Sequence, residues 1–237
     1  MKLPGLLLLL LGLSWQGSQA QSTHTPAEAG TVYLGVGAAL PLGSFQDTYP
    51  GGHAFGATFG LLAKPGPPSL PFEVGVEVSY LVDGISRKEA QALSPPYTVK
   101  TTHSYIPLHA VFRLKPKRTF VVTPYADGLA GITIFNTRSK IKQDLFSAAQ
   151  EEEATVLDKY NSTVFSYGLA VGLHLKGKRQ EPRIDIRLVY LEGGLGTYVK
   201  RGNFTIDQEG YPVYRFTRSE TTMLLLQLNI AGILPAF

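Results

Sequence analysis

Cysteine is absent from all 237 residues. No disulfide framework can therefore hold this fold, and no thiolate is available as nucleophile or metal ligand. Long apolar runs are also missing: after Leu13 nothing approaches the ~20 residues that a membrane-spanning helix needs. Charge is sparse at 17%, below the roughly 25% of an ordinary soluble domain. Its balance, 22 Lys and Arg against 18 Asp and Glu, is too mild to suggest nucleic acid as a partner. The sequence has no His-Glu-x-x-His, no calcium-loop spacing and no glycine-rich loop followed by the lysine and helix of a phosphate cradle. These absences leave no motif for a metal.

The amino-terminal "MKLPGLLLLLLGLSWQGSQA" reads as a secretory signal. Lys2 is a positive head, Leu6 to Leu13 are too short to span a bilayer, and Ser18 and Ala20 put small residues at the cleavage positions. Cleavage is expected after Ala20. The expected organisation is a signal over 1–20, a short lead over 21–30 and one domain over 31–237, which is long enough for a full core without staples.

From Thr31 the residues alternate with a period of two. In "FEVGVEVSY" Phe72, Val74, Val76, Val78 and Tyr80 share one face, and Glu73 and Glu77 lie on the other. The same split separates Ile184, Ile186, Leu188 and Tyr190 from Asp185 and Arg187. It also separates Ile106, Leu108, Ala110 and Phe112 from His109 and Arg113. Eight such segments are expected, near 31–42, 54–64, 72–83, 104–114, 120–136, 163–175, 183–194 and 220–234. Three of the connections, "KPGPPSLP", "KPKRT" and "KGKRQEP", are short. The segments 84–103, 137–162 and 195–219 are expected to be long loops, and 43–53 a modest one.

Short turns on one side and long loops on the other predict an all-β fold, an eight-stranded antiparallel up-and-down transmembrane β-barrel with short periplasmic turns and long extracellular loops. Closure is required because an open edge in hydrocarbon leaves backbone groups unpaired. Within it, Glu73, Glu77, His109, Arg113, Asp127, Asp185 and Arg187 form a polar lumen network. A constant index sum predicts Glu73 opposite Arg113 and Glu77 opposite His109. An eight-stranded interior is filled by side chains, so the network reads as a plug. Phe72, Tyr80 and Tyr190 are placed in the aromatic girdles.

The stretches "GVGAALPLGSFQDTYPGGHAFG", "YIPLHAVFRL" and "TPYADGLAGI", together with the terminal Phe237, resemble the small outer-membrane β-barrel family related to the membrane domain of outer-membrane protein A. The resemblance implies a bacterial outer-membrane location and a structural or surface-binding role that requires no cofactor. No inward histidine has a serine and an acid grouped beside it, so no catalysis is expected. The resemblance also implies that Phe237 is read by the barrel-assembly machinery through the last strand. Phe237 has the opposite parity to Leu224, Leu226, Leu228 and Ile230, so a bulge at Gly232 or Pro235 is expected to restore its phase. The expected partners are outer-membrane lipid, the assembly machinery and an extracellular ligand held by the loops. The chain is expected to act as a monomer.

Three alternatives stand beside this reading. They are a small porin, a soluble periplasmic barrel that holds a ligand, and a lipid-modifying enzyme using a serine, a histidine and an acid. For the last, His103 beside Ser104 is the nearest approach to the required grouping. The soluble barrel requires Glu73 and Glu77 to face water.

Overall fold

The structure, a computed structural model, describes residues 28–66, 70–90, 97–116, 121–142, 156–175 and 183–235. Eight strands close into one antiparallel barrel: β1 (Glu28–Pro41), β2 (Ala54–Ala63), β3 (Phe72–Ala90), β4 (Tyr97–Leu114), β5 (Val122–Lys142), β6 (Val156–Leu175), β7 (Arg183–Gly193) and β10 (Met223–Pro235). Each pairs with its neighbour in sequence, and β10 lies between β7 and β1. The all-β barrel expected from the alternation is therefore the fold. The remaining pair, β8 (Leu195–Ile206) and β9 (Pro212–Glu220), forms a separate two-stranded sheet. One short helix, α1 (Gly43–Thr48), follows β1.

The stagger of the closed sheet is set by its register. Stepping across partners from Gly30 leads through Ala63, Val74, Phe112, Gly128, Leu169, Tyr190 and Leu224 back to β1 at Leu40. Since 40 − 30 = 10, one circuit advances ten residues along the strand. At ~3.3 Å per residue and ~4.8 Å between strands, that shear tilts eight strands by roughly 40°.

The described parts of the three expected long loops are largely strand. β3 and β4 continue to Ala90 and from Tyr97, and β5 and β6 continue to Lys142 and from Val156. A four-stranded wall thus rises above one half of the barrel rim. The third segment, 195–219, is mostly the β8–β9 hairpin, and 43–53 contains α1. The alternation weakens in these extensions because their outward faces carry Arg87, Lys100, Arg138 and Lys159 in place of aliphatic residues, so no apolar stripe marks them. Within the segment 137–162, expected as one loop, the chain is strand again from Val156 onward.

Register shifts interrupt the ladder between Val82 and Gly84, between Ser139 and Lys140, and between Glu28 and Gly30. No shift falls within β10 from Met223 to Leu234, so Gly232 does not supply the expected bulge: it pairs in unbroken register with Val32. The irregularity at this end lies on β1 instead, beside Pro235. Phe237, like the signal and its cleavage position at Ala20, lies outside the described residues.

Candidate functional site

The inward face builds a buried ion chain across the lumen. The register places Glu73 opposite Arg113 and Glu77 opposite His109, but the side chains choose other partners. Arg113 forks onto Asp127, its neighbour across β5, with Nε to Oδ1 at 2.8 Å and Nη2 to Oδ2 at 2.9 Å. The second oxygen of Asp127 also lies 2.8 Å from Arg187 Nη2. Arg187 Nη1 donates to Glu77 and, at 3.1 Å, to Gln227 Oε1. The chain Arg113, Asp127, Arg187, Glu77 thus alternates in sign, and both guanidiniums are 0% exposed. Alternation is what makes such burial tolerable, because each charge is desolvated only beside an opposite one.

Glu73 closes the short-turn end. It accepts from Thr31 Oγ1 at 3.1 Å and from Lys115 Nζ at 2.7 Å. Asp185 accepts from Tyr125 OH and from Asn229 Nδ2 at 3.3 Å. His109 Nε2 lies 2.8 Å from Ser166 Oγ, and His174 stacks on Tyr125 at 4.5 Å. All seven sequence-predicted lumen residues are buried.

Two tyrosines organise this chain, and each lies flat over a glycine on the adjacent strand. A Cβ on Gly60 would meet Tyr33 Cζ at 2.0 Å, and one on Gly172 would meet Tyr125 Cζ at 2.2 Å. Each glycine is the register partner of its tyrosine. The space that they leave lets Tyr33 donate to Glu77 and lets Tyr125 carry Arg113 at 3.9 Å over its ring. Gly172→Ala is therefore expected to displace Tyr125 and cost about 1–3 kcal/mol. Denaturant unfolding followed by far-ultraviolet circular dichroism would detect it, and a change below about half a kcal/mol would show that the ring has room to move. Tyr33 and Tyr125 were missed as site residues, although both have the inward parity of their strands.

Above the ions the lumen turns apolar. Leu81, Leu191, Met223 and Leu225 are buried, and Phe45 of α1 drops into them with 0% exposure. Its ring stands 5.1 Å from Tyr198, 6.0 Å from Tyr105, 6.0 Å from Phe135 and 6.4 Å from Tyr49. Tyr49 OH donates to the Asp83 carboxylate and accepts from Arg201 N at 2.8 Å, while Lys200 Nζ reaches Thr48 O at 2.8 Å. Burial and the Asp83 carboxylate hold the Tyr49 phenol well above its ordinary range, so it stays a donor. Helix and hairpin together form a lid that alternation did not reveal, because neither segment repeats with a period that faces the barrel.

The exterior is the reverse. Val76 and Leu226 are each 54% exposed, and their outward neighbours along the strands are apolar. From Phe72 to Val82, at ~3.3 Å per residue and ~40° of tilt, the band covers about 25 Å. Phe72 stacks on Phe112 at 5.5 Å near the short turns, whereas Tyr80, Tyr167 and Tyr190 stand exposed toward the other end. His103 and Ser104, considered for catalysis, are both buried. His103 Nδ1 lies 3.3 Å from Thr137 Oγ1, and among the described residues Ser104 Oγ has no hydrogen-bond partner. Among the described residues no cluster of three or more His, Asp or Glu could hold a metal ion.

No protein-family model matches the sequence, and no curated protein does. Solved structures with a similar course of chain include a major outer membrane protein from Thermus thermophilus, at 13% identity and a TM-score of 0.48 over 86% of this chain and 99% of that one. Neisserial surface protein A aligns at 10% identity and a TM-score of 0.45 over 86% and 97%. Ail, the attachment invasion locus protein of Yersinia pestis, in complex with the heparin analogue sucrose octasulfate, aligns at 11% identity and a TM-score of 0.42 over 86% and 98%.

Proposed function

We propose that this chain is an integral outer-membrane barrel whose work is done at its surface, with a sealed lumen and no catalytic role. The observation that carries this reading is the inversion of polarity. Glu73 and Glu77 are 1% and 4% exposed inside, while the aliphatic residues of the same strands face outward. A soluble barrel of this size places its charges outside and its apolar residues within. Here an apolar belt of the height of a bilayer core encircles a packed polar interior, the distribution that hydrocarbon solvates best. The ends of that belt carry Phe72 on one side and Tyr80 and Tyr190 on the other, as interfacial anchors would.

A structural or adhesive role follows from the two seals in series, ions below and aromatic rings above. The wall of β3 to β6 and the β8–β9 hairpin are the parts that reach beyond the belt. There Tyr211 is exposed for an extracellular partner, while Tyr214 is tied to Ser139 Oγ at 2.8 Å. Assembly is assigned to the barrel machinery acting on β10, and the working unit to a monomer. Kinship with the outer-membrane protein A group belongs to this same reading.

Fractionation and electrophoresis with and without boiling test it. Recovery in the outer membrane with faster migration of the unboiled protein is expected, and recovery as a soluble periplasmic protein would overturn the assignment. The porin reading is tested separately. Purified protein in planar bilayers is expected to leave conductance at the baseline of the lipid, whereas discrete ohmic steps would establish a channel.

A further inference from the structure

The outward face of the wall carries cations in opposed rows. Arg87 of β3 is the register partner of Lys100 of β4, and Lys100 is the partner of Lys140 of β5. In the next row Arg138 of β5 is the partner of Lys159 of β6. On β4 and β5 they have the parity of the outward aliphatic residues, with Val99, Thr101, Thr137 and Ser139 on the alternate positions buried behind them. On β3 the register shift between Val82 and Gly84 turns Arg87 to that same face, opposite Lys100. Among the described residues none of the five forms an ion pair. The nearby Glu89 stands opposite Thr98, and Asp158 opposite Ser139.

Like charges directly opposed across a sheet lie about 5 Å apart and destabilise it. A sheet that places them so in two successive rows is matched to an anionic surface that neutralises both. Position identifies that surface. The rows continue the same face of β3 to β6 that carries Val76, Val78 and Tyr80, so whatever they meet lies beside the barrel and not over its mouth. Arg138 stands roughly 10 Å above Ile134, the last aliphatic residue on its face of β5. Long Lys and Arg side chains bend back toward an interface from such a height.

We propose that this face binds phosphate-bearing glycolipid headgroups of the surrounding leaflet, an inference that rests on the membrane reading above. Several fixed cations recognise a phosphorylated headgroup by charge density, and each near a membrane surface adds to the attraction within a Debye length. The ligand is thus an anionic lipid beside the protein, and the patch anchors and orients the wall on the leaflet.

The test uses the full mature chain in phosphatidylcholine nanodiscs, with and without lipid A. Unboiled migration reports insertion, and native mass spectrometry counts retained lipid A. Its companion is the variant Arg87→Gln, Lys100→Gln, Arg138→Gln, Lys140→Gln, Lys159→Gln. Should that fail to fold, the triple variant Arg87→Gln, Lys100→Gln, Lys140→Gln replaces it. The wild type is expected to retain about tenfold more lipid A than the variant, and about 0.5 M salt to abolish the difference. Equal retention by a folded variant would overturn the proposal. So would displacement of lipid A by heparin or hexametaphosphate bound just as well in detergent, which would assign the face to a soluble polyanion. Loss of self-association in the variant, with lipid retention unchanged, would assign it to a second copy. Failure of the wild type to enter either nanodisc would instead remove the membrane reading itself.

Discussion

Replacing Arg187 by methionine is expected to destabilise the barrel by about 3–5 kcal/mol. The side chain is fully buried and bridges Glu77 to Asp127, so its loss leaves two carboxylates sharing a lumen with one fewer cation. Asp127 keeps the fork of Arg113, and Glu77 is left with the hydroxyl of Tyr33 and a long contact to Gln227. The uncompensated charge is therefore chiefly that of Glu77. Adding Glu77→Gln to Arg187→Met is then expected to restore part of the loss, because it removes the stranded carboxylate. Denaturant unfolding in detergent, read by circular dichroism and by migration of unboiled protein, measures both variants. Tryptophan fluorescence is no substitute, since Trp15 is the one tryptophan and falls in the expected signal. A single variant that loses under about 1 kcal/mol, or a double variant as unstable as the single, would show that the ion chain is not a coupled unit.

Phe45→Ala is expected to undo the lid. Phenylalanine to alanine in a packed site costs about 3–5 kcal/mol, and ring pairs such as those with Tyr198 and Phe135 supply part of it. The loss should be local. Helix α1 is six residues long and has no side-chain cap, so without Phe45 it is held chiefly at its far end, by the bonds of Tyr49 and Thr48 to Asp83, Lys200 and Arg201. Amide exchange at Tyr49, whose N–H donates to Phe45 O at 2.9 Å, and at Arg201, which donates to Tyr49 OH, should accelerate. The global unfolding of the barrel should move far less. Planar-bilayer conductance should stay at baseline, because the ion chain below the lid is untouched. Unchanged exchange at Tyr49 and Arg201 would show that the hairpin, not Phe45, holds the lid.

How far the site was legible follows from these two variants. Arg187 was placed in the lumen by parity alone, since Ile186 and Leu188 on either side point to the exterior. Its partners were not. Glu77 and Arg187 stand on β3 and β7, four strands apart around a ring of eight and thus across its diameter. Only closure brings them together. Opposition between β3 and β4, which places Glu77 beside His109 and Glu73 beside Arg113, is a local relation that these side chains did not follow. The equally local opposition of Arg113 and Asp127 between β4 and β5 became an ion pair. His109 went to Ser166, and Arg113 turned to Asp127 on its other side.

Phe45 was not legible in this sense. It lies in "GSFQDTYPGGH", which repeats with no period facing the barrel, and its partners come from strands far along the chain. The same holds for Tyr198 on β8. The upper halves of β3 to β6 were read as loops because their outward residues are charged, and a charged outward face removes the contrast on which alternation depends.

By itself the sequence determined the number of barrel strands, the face to which the residues of the apolar belt point and the end of the barrel that bears the short turns. A two-residue period is written in consecutive positions and needs no knowledge of what lies elsewhere. The tertiary structure alone decided the ten-residue stagger, the pairing of charges across the lumen, the descent of α1 and β8 into the mouth and the rows of cations on the wall. Each of these depends on which residues of different strands share a height, and that is fixed only when β10 closes on β1.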